Sequence, residues 1–462
     1  MAQPAATPSR RSITVKLIVI VFLAFVLLVP SMMIMSLVEE RRETRDAAVD
    51  EISATWGQPQ QLIGPILTIP YRAYTLDTAG RRVSFVVERA HFLPEELAVT
   101  SVLNPEVRYR GIYQAVLYRA DVVMKGRFVR PDFAGMGVRS EDVLWGEAFV
   151  SLGIPDMRGV REGITLSWDG VARTFQPGVR PGSLVSSGVN VALDTSSLDT
   201  ATTSHPFAIR LDVNGSGRLA FAPIGRVTTV DVRSPWTNPS FDGAFLPSSR
   251  DVAAGGFSAR WKVLDLNRNF PQIITSDELD LDQYAFGVSL LVPVDNYHQT
   301  TRSVKYAALF IGLTFLAFFL IEVMGGMRVH AIQYLLVGCA LVIFYLLLLS
   351  LSEYVAFGMA YLVAAGATVV LVVLYVASVL HRARYAAAIA AVLVALYGYL
   401  FVLLQLQDYS LLLGSVGLFA ILAAVMYLTR RLDWYGLDFS GTGVEPVVAV
   451  EDRRESTTPE DS

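Results

Sequence analysis

Metal ligation needs histidine, cysteine or carboxylate side chains converging at short spacing. The five histidines, His91, His205, His298, His330 and His381, do not offer it, since no two lie within ten residues. They read as surface or hydrogen-bonded structural residues. The run Asp277-Glu278-Leu279-Asp280-Leu281-Asp282 supplies hard oxygen ligands of the kind calcium takes. It lacks the glycine turn of an EF-hand loop, and its alternating leucines fit a solvated strand or loop. Nucleophilic catalysis would show a Gly-x-Ser-x-Gly elbow, and phosphate or dinucleotide binding a glycine-rich fingerprint; the chain has neither. The expectation is a non-enzymatic protein with no catalytic residue, metal or cofactor.

One polar group does stand out, made of Glu322, Arg328, His330 and Gln333. Glu322 lies about 24 Å along a helix that starts at Tyr306, at 1.5 Å per residue, close to the far boundary of an apolar run. Arg328 and His330 follow in the hairpin, where they can pair with it, and Gln333 and Tyr334 begin the next run at the same depth. The cluster reads as a lock at the cytoplasmic rim of that hairpin. The alternative is a transport path for an ion or small molecule, because transporters place ionisable groups within the bilayer.

The elements that position this cluster are apolar. A spanning helix needs about 20 mostly apolar residues, and six runs reach that range: Leu17–Val38, Tyr306–Met324, Ala331–Leu351, Val355–Leu380, Tyr385–Leu406 and Leu411–Leu428. Their clustering explains a hydrophobic content of 53% and a mean hydropathy of +0.45. The first run follows Ser9-Arg10-Arg11 and Lys16, as a signal peptide would. It is too long for one, and no small-x-small site precedes Glu39-Glu40-Arg41-Arg42, so an uncleaved anchor is expected. Small residues within the bundle, at Gly338, Ala364-Ala365-Gly366-Ala367, Ala386–Ala391, Gly414 and Gly417, allow close helix packing. Tyr397, Tyr399 and Tyr409 fit an outer aromatic belt.

Orientation follows from Lys and Arg near the helix ends. Arg328, Arg382, Arg384, Arg430 and Arg431 fall on one side of the bundle, against Arg302 and Lys305 on the other. Both termini are then cytoplasmic. The expected layout is a cytoplasmic segment 1–16, an anchor helix 17–38, a periplasmic β-rich domain 39–305, a five-helix bundle 306–430 and a cytoplasmic tail 431–462. Residues Gly441 to Ser462 are polar and acidic, too poor in large apolar groups to offset their ordering entropy, so the tail is expected to be disordered.

Between the anchor and the bundle the pattern changes. Residues Glu39 to Gly57 keep helical spacing at Val49, Ile52 and Trp56 and continue the first helix. After Gly57, β-branched and aromatic runs alternate with turn residues, the mark of a multi-stranded antiparallel fold. Expected strands include Arg82–Glu88, Tyr113–Met124, Val143–Leu152, Val189–Leu193, Phe207–Val213 and Phe257–Val263. Asn214-Gly215 is expected to turn a hairpin from Phe207–Val213 into Gly217–Ala222. The fold class is thus a six-helix membrane bundle with a large β-rich, sandwich-like domain. Residues Glu39 to Ser303 carry 27 Lys+Arg against 31 Asp+Glu. A nucleic-acid binder would need a dense basic face, so nucleic acid is not an expected partner. The one cysteine, Cys339, lies in an apolar run, and the β-rich domain must hold through its own core.

Several stretches together resemble the CreD family of bacterial inner-membrane proteins. They are Gly64-Pro65-Ile66-Leu67-Thr68-Ile69-Pro70, His91-Phe92-Leu93-Pro94-Glu95, Arg110-Gly111-Ile112-Tyr113, Pro239-Ser240-Phe241-Asp242-Gly243-Ala244-Phe245-Leu246-Pro247 and Gly256-Phe257-Ser258-Ala259-Arg260-Trp261. The resemblance continues from Lys305-Tyr306-Ala307 through Thr314–Phe319 to Glu322. It takes in Gln333–Gly338, Tyr345–Glu353, and Leu428-Thr429-Arg430-Arg431 with Asp433-Trp434-Tyr435. It departs at Ala331, where the family favours proline. The resemblance implies a Gram-negative inner-membrane protein linked to envelope integrity, two-component control and responses to cell-wall stress or colicins. It supplies no catalytic residues. The partners it implies are the lipid bilayer and, through the periplasmic domain, envelope proteins or cell-wall components. The sequence sets no oligomeric state.

Overall fold

The computed structural model describes residues 13–430 apart from 78–81, 195–197, 199–202, 277–278, 293–295, 326–328, 381 and 407–408. The tail 431–462, expected to be disordered, lies outside the described residues. Two compact units divide the chain: residues 1–40 with 296–462, and residues 41–295.

The helical unit holds most of α1 (Ile13–Trp56), then α2 (Asn296–Lys305), α3 (Ala307–Gly325), α4 (Ala331–Ser352), α5 (Phe357–Leu380), α6 (Ala383–Gln405) and α7 (Ser410–Thr429). All but α2 are long and apolar enough to cross a membrane. α4 packs on α5, α5 on α6, and α3 on both α4 and α6. Gly338 is one reason α1 can approach: a Cβ there would collide with Leu27 Cδ1, so the missing side chain lets α1 lie against α4. α1 runs unbroken through Pro30 to Trp56, as the spacing past Glu39 predicts.

The β-rich unit is built on four long strands: β1 (Gln60–Leu76), β2 (Arg82–Phe92), β3 (Glu96–Arg110) and β4 (Tyr113–Val129). They belong to two sheets, of nine and eight strands among the described residues. β1 is central in the first, flanked by Phe149–Gly153 and, in parallel, by Arg218–Phe221. β3 and β4 are central in the second, between Val227–Ser234, parallel to β3, and Ser204–Ser216. The fold is therefore mainly antiparallel with two parallel pairings. β3 shows why its residues choose a strand: Leu97, Val99, Ser101 and Leu103 are buried, and the residues between them are exposed, the period-two alternation of a sheet with one covered face. Side chains of both sheets share one core. Trp261 of the second meets Phe286 of the first with ring centroids 5.6 Å apart.

Two strand expectations are corrected. Asn214-Gly215 makes no hairpin; the strand runs straight through it, pairing Asn214 with Arg119 and Gly215 with Tyr118. A Cβ on Gly215 would collide with the Tyr118 hydroxyl, so this glycine serves a close approach rather than a turn. The chain instead turns at Gly217, whose φ is +64°, and crosses to the other sheet. Of Val143–Leu152, only the part from Phe149 is strand; short 3-10 turns occupy Ser140–Asp142 and Trp145–Glu147.

Candidate functional site

Glu322 sits in the last turn of α3, 6% exposed. A buried carboxylate must be paired and hydrogen-bonded to be tolerated, and three segments supply its partners. Lys16 of α1 forms a salt bridge to its Oε1. The Val329 backbone N–H donates to the same oxygen at 2.9 Å, and the Tyr334 hydroxyl of α4 donates to Oε2 at 2.9 Å. Lys16 Nζ also donates to the Val329 carbonyl at 2.7 Å, closing a ring that joins α1, α3 and the start of α4. Tyr334 is itself fixed by an edge-on contact with Phe315, 5.5 Å between centroids.

The other predicted members of the cluster are placed differently. His330 caps α4: its Nδ1 accepts the Ile332 N–H at 3.3 Å, and its own N–H donates to Gln333 Oε1 at 2.9 Å. His330 and Gln333 thus pair with each other, in a reciprocal capping arrangement. Arg328 lies outside the described residues. Lys16 is the partner that sequence reasoning missed; its only mark in the sequence is a place at the start of the first apolar run, shortly after Arg10 and Arg11.

Helix alternation puts further cations at this end of the bundle. Lys16 opens α1, Arg382 and Arg384 open α6, and Arg430 follows α7, all at the end of the bundle where α3 finishes.

The opposite end is held by neutral and singly charged contacts through α2. Tyr297, Thr300, Ser303 and Val304 are its buried face. Asn296 Nδ2 donates to the Ser352 carbonyl at 2.6 Å, and the Tyr297 hydroxyl to Glu353 at 3.1 Å. Arg302 donates to the Leu403 carbonyl at 3.1 Å. Ser352 and Leu403 lie in the last turns of α4 and α6, whose carbonyls have no intrahelical partner. α2 falls in the segment expected to be β-rich, because ten mostly polar residues carry no spanning signal.

Between these ends the bundle interior is aromatic. Phe344 lies 4.7 Å from Tyr397 and 5.6 Å from Tyr361, and the Tyr361 hydroxyl donates to the Tyr397 carbonyl at 2.7 Å. Tyr397 is 5% exposed, so its place in an outer belt is corrected: its position on α6 faces the helix core. Tyr409 is exposed, and the Tyr399 hydroxyl bonds α7 through the Leu413 carbonyl.

In the β-rich unit the histidines and the acidic run contact neighbouring side chains and backbone. Thr68 Oγ1 meets buried His91 Nδ1 at 2.9 Å. His205 Nδ1 meets Asp169 Oδ2 at 2.7 Å, with the ring stacked on Trp168. In the acidic run, Asp282 accepts from Gln61 Nε2 at 2.7 Å, Asp280 accepts the Asp282 N–H at 2.9 Å, and Leu281 is buried; residues 277–278 lie outside the described residues. No group of three metal-ligating side chains occurs among the described residues.

The exit of α1 into this unit is densely bonded. The Trp56 indole N–H donates to the Tyr118 carbonyl at 3.3 Å, with the guanidinium groups of Arg108 and Arg119 at 4.8 and 5.4 Å from the ring. Asp156 accepts the Gln58 N–H at 2.9 Å and a two-point contact from Arg158 at 2.9 and 3.1 Å. Burial pulls the Asp156 carboxyl upward, but these hydrogen bonds win and hold it below the usual carboxylate range.

The family described as Inner membrane protein CreD matches residues 12–435 of this chain. Inner membrane protein CreD of Escherichia coli (strain K12) is 33% identical over 435 residues, covering 92% of this chain and 94% of that relative.

Proposed function

This chain belongs to the CreD family of inner membrane proteins, and from that premise we propose that it supports cell-envelope integrity and stress response without catalysing a reaction. It is a multi-pass protein of the inner membrane. In this reading the β-rich unit is periplasmic and acts by engaging envelope proteins or cell-wall components, while the helices hold it in place. Lys16, Arg382, Arg384 and Arg430 share one end of the bundle with Glu322, and the excess of Lys and Arg on cytoplasmic flanks supports assigning that end, with both termini, to the cytoplasm.

The observation that carries the proposal is the engagement of both oxygens of Glu322 by three segments, Oε1 by Lys16 and the Val329 N–H and Oε2 by Tyr334. The arrangement serves attachment of α1 to the bundle better than transport. The test is deletion of the gene with complementation by Glu322→Gln. Loss of detergent, β-lactam and osmotic tolerance on deletion, restored by a Glu322→Gln variant that still accumulates in the membrane, supports an envelope role. Tolerance unchanged by deletion overturns it. Deletion effects that well-inserted Glu322→Gln fails to reverse favour transport.

A further inference from the structure

Among the described residues, strand β2 is bare along most of one edge. β1 pairs with it from Arg82 to Phe92, but on its other side the short strand Ile273–Ile274 reaches only His91 and Phe92. Leu93 donates its N–H to Gln272 on that outer side at 3.1 Å. Strand alternation therefore turns the N–H and C=O groups of Arg89, Val87 and Phe85 outward as well. Among the described residues no strand takes them up.

From Val83 to Val87 the side chains along this edge are apolar apart from Ser84, with Arg82, Glu88 and Arg89 flanking them, where an edge is ordinarily guarded by charge or proline. Val83 is 67% exposed, Phe85 51% and Val86 63%. Cross-strand pairing sets Phe85 and Val87 on the same face as Tyr74 and Arg72. The exposed Arg72 guanidinium leans over the Phe85 ring, 5.4 Å from its centroid, toward the bare edge. Arg82 is held by Asp142, and Glu88 accepts from Tyr71. Arg72 has no carboxylate among the described residues.

We propose that the outer edge of β2 takes up an extended peptide segment of a partner protein by strand addition, with apolar residues against Phe85 and Val87 and a carboxylate on Arg72. An unpaired ladder selects an extended backbone, and an unpaired cation on its apolar face selects an acid. A second copy of this chain fits less well. Pairing β2 with itself about Phe85 opposes Val83 to Val87 but brings no carboxylate to Arg72, since Glu88 lies on the opposite face and is bonded to Tyr71. The proposal deepens the envelope-support reading by naming a partner's chemistry. Its test reads peptide binding at one edge rather than envelope tolerance, so each fails without the other.

The probe is a capped heptapeptide, Val-Thr-Val-Thr-Asp-Thr-Val, added to the full-length protein in detergent micelles, with a twin carrying Lys for Asp. Backbone hydrogen exchange across residues 83–89 is the readout. The Asp peptide is expected to slow exchange there about tenfold and the Lys peptide much less. Arg72→Glu should invert that preference. Phe85→Pro removes an outward N–H without touching the β1 ladder and should abolish protection, with circular dichroism unchanged. Absence of protection by the Asp peptide overturns the proposal, as does equal protection by both peptides. Protection that grows with protein concentration alone assigns the edge to a second copy and overturns it too.

Discussion

Two ion pairs, one in each unit, show how surroundings decide what a charge contact does. Glu96 and Arg127 meet across β3 and β4 at 2.9 Å, both solvent-exposed. Hydrogen bonding from Arg127 holds the Glu96 carboxyl below its usual range, yet water screens the pair and competes for both partners. Lys16 and Glu322 form the same kind of pair inside the helical unit, where Glu322 has no water to fall back on. Beside exposed pairs like this one the β-rich unit has Arg82 on the buried Asp142, and its hold comes mainly from the shared core of its two sheets. In the Lys16–Glu322 pair the carboxylate is the buried partner, and losing one partner strands the other.

This contrast can be broken most directly at Glu322. Glu322→Ala should destabilise the helical unit by about 3–5 kcal/mol by leaving Lys16 uncompensated, read as a lower thermal midpoint of the full-length protein in micelles. Combining it with Lys16→Met and Tyr334→Phe should recover part of the loss, because the stranded polar groups go with it; no recovery would show that burial is not the cause. Trp56→Ala, at the exit of α1, should cost about 2–3 kcal/mol from two cation–π contacts and one hydrogen bond, seen as faster exchange across β3 and β4. Tyr334→Phe alone removes one hydrogen bond to a buried carboxylate and should cost about 1.5–3 kcal/mol.

Asp156 gives a pH-dependent case. Its folded-state pKa lies below the unfolded value, so its contribution is present above the unfolded pKa and disappears as pH falls through the folded one. Acidification below the usual carboxylate range should therefore loosen the segment Gln58–Gln60, and Asp156→Asn should flatten that dependence in an exchange experiment. The smallest effect is expected at the surface. Glu96→Gln should leave the thermal midpoint unchanged, and a clear drop would mean that the β3–β4 pair is less screened than its exposure implies.

The spans were legible because length and apolarity are local, and so was the helix past Glu39, where Val49, Ile52 and Trp56 keep helical spacing. Glu322 was legible as an oddity, since charge is rare in such runs. Its partner was not: Lys16 is 306 residues away, and nothing local joins them. Asn214-Gly215 carried the strongest short-range hairpin signal and was overridden by Tyr118, whose ring needs the space a side chain would fill. α2 escaped because it is barely three turns long and its buried face mixes Tyr297 and Val304 with Thr300 and Ser303. Tyr397 has the residue type of an interfacial belt, and only the rotation of α6 turns it inward.

The parallel pairing of β1 has a consequence in time. Gln60 registers with Leu219, so this contact waits for 159 further residues to be made. At about 5–20 residues per second that is roughly 8–30 s of synthesis. Throughout that interval Leu62, buried in the finished protein, lacks its partner Phe221. The nascent chain thus carries an unpaired start of β1 directly behind its first membrane helix, and a chaperone that shields it would act before the protein has any function to protect.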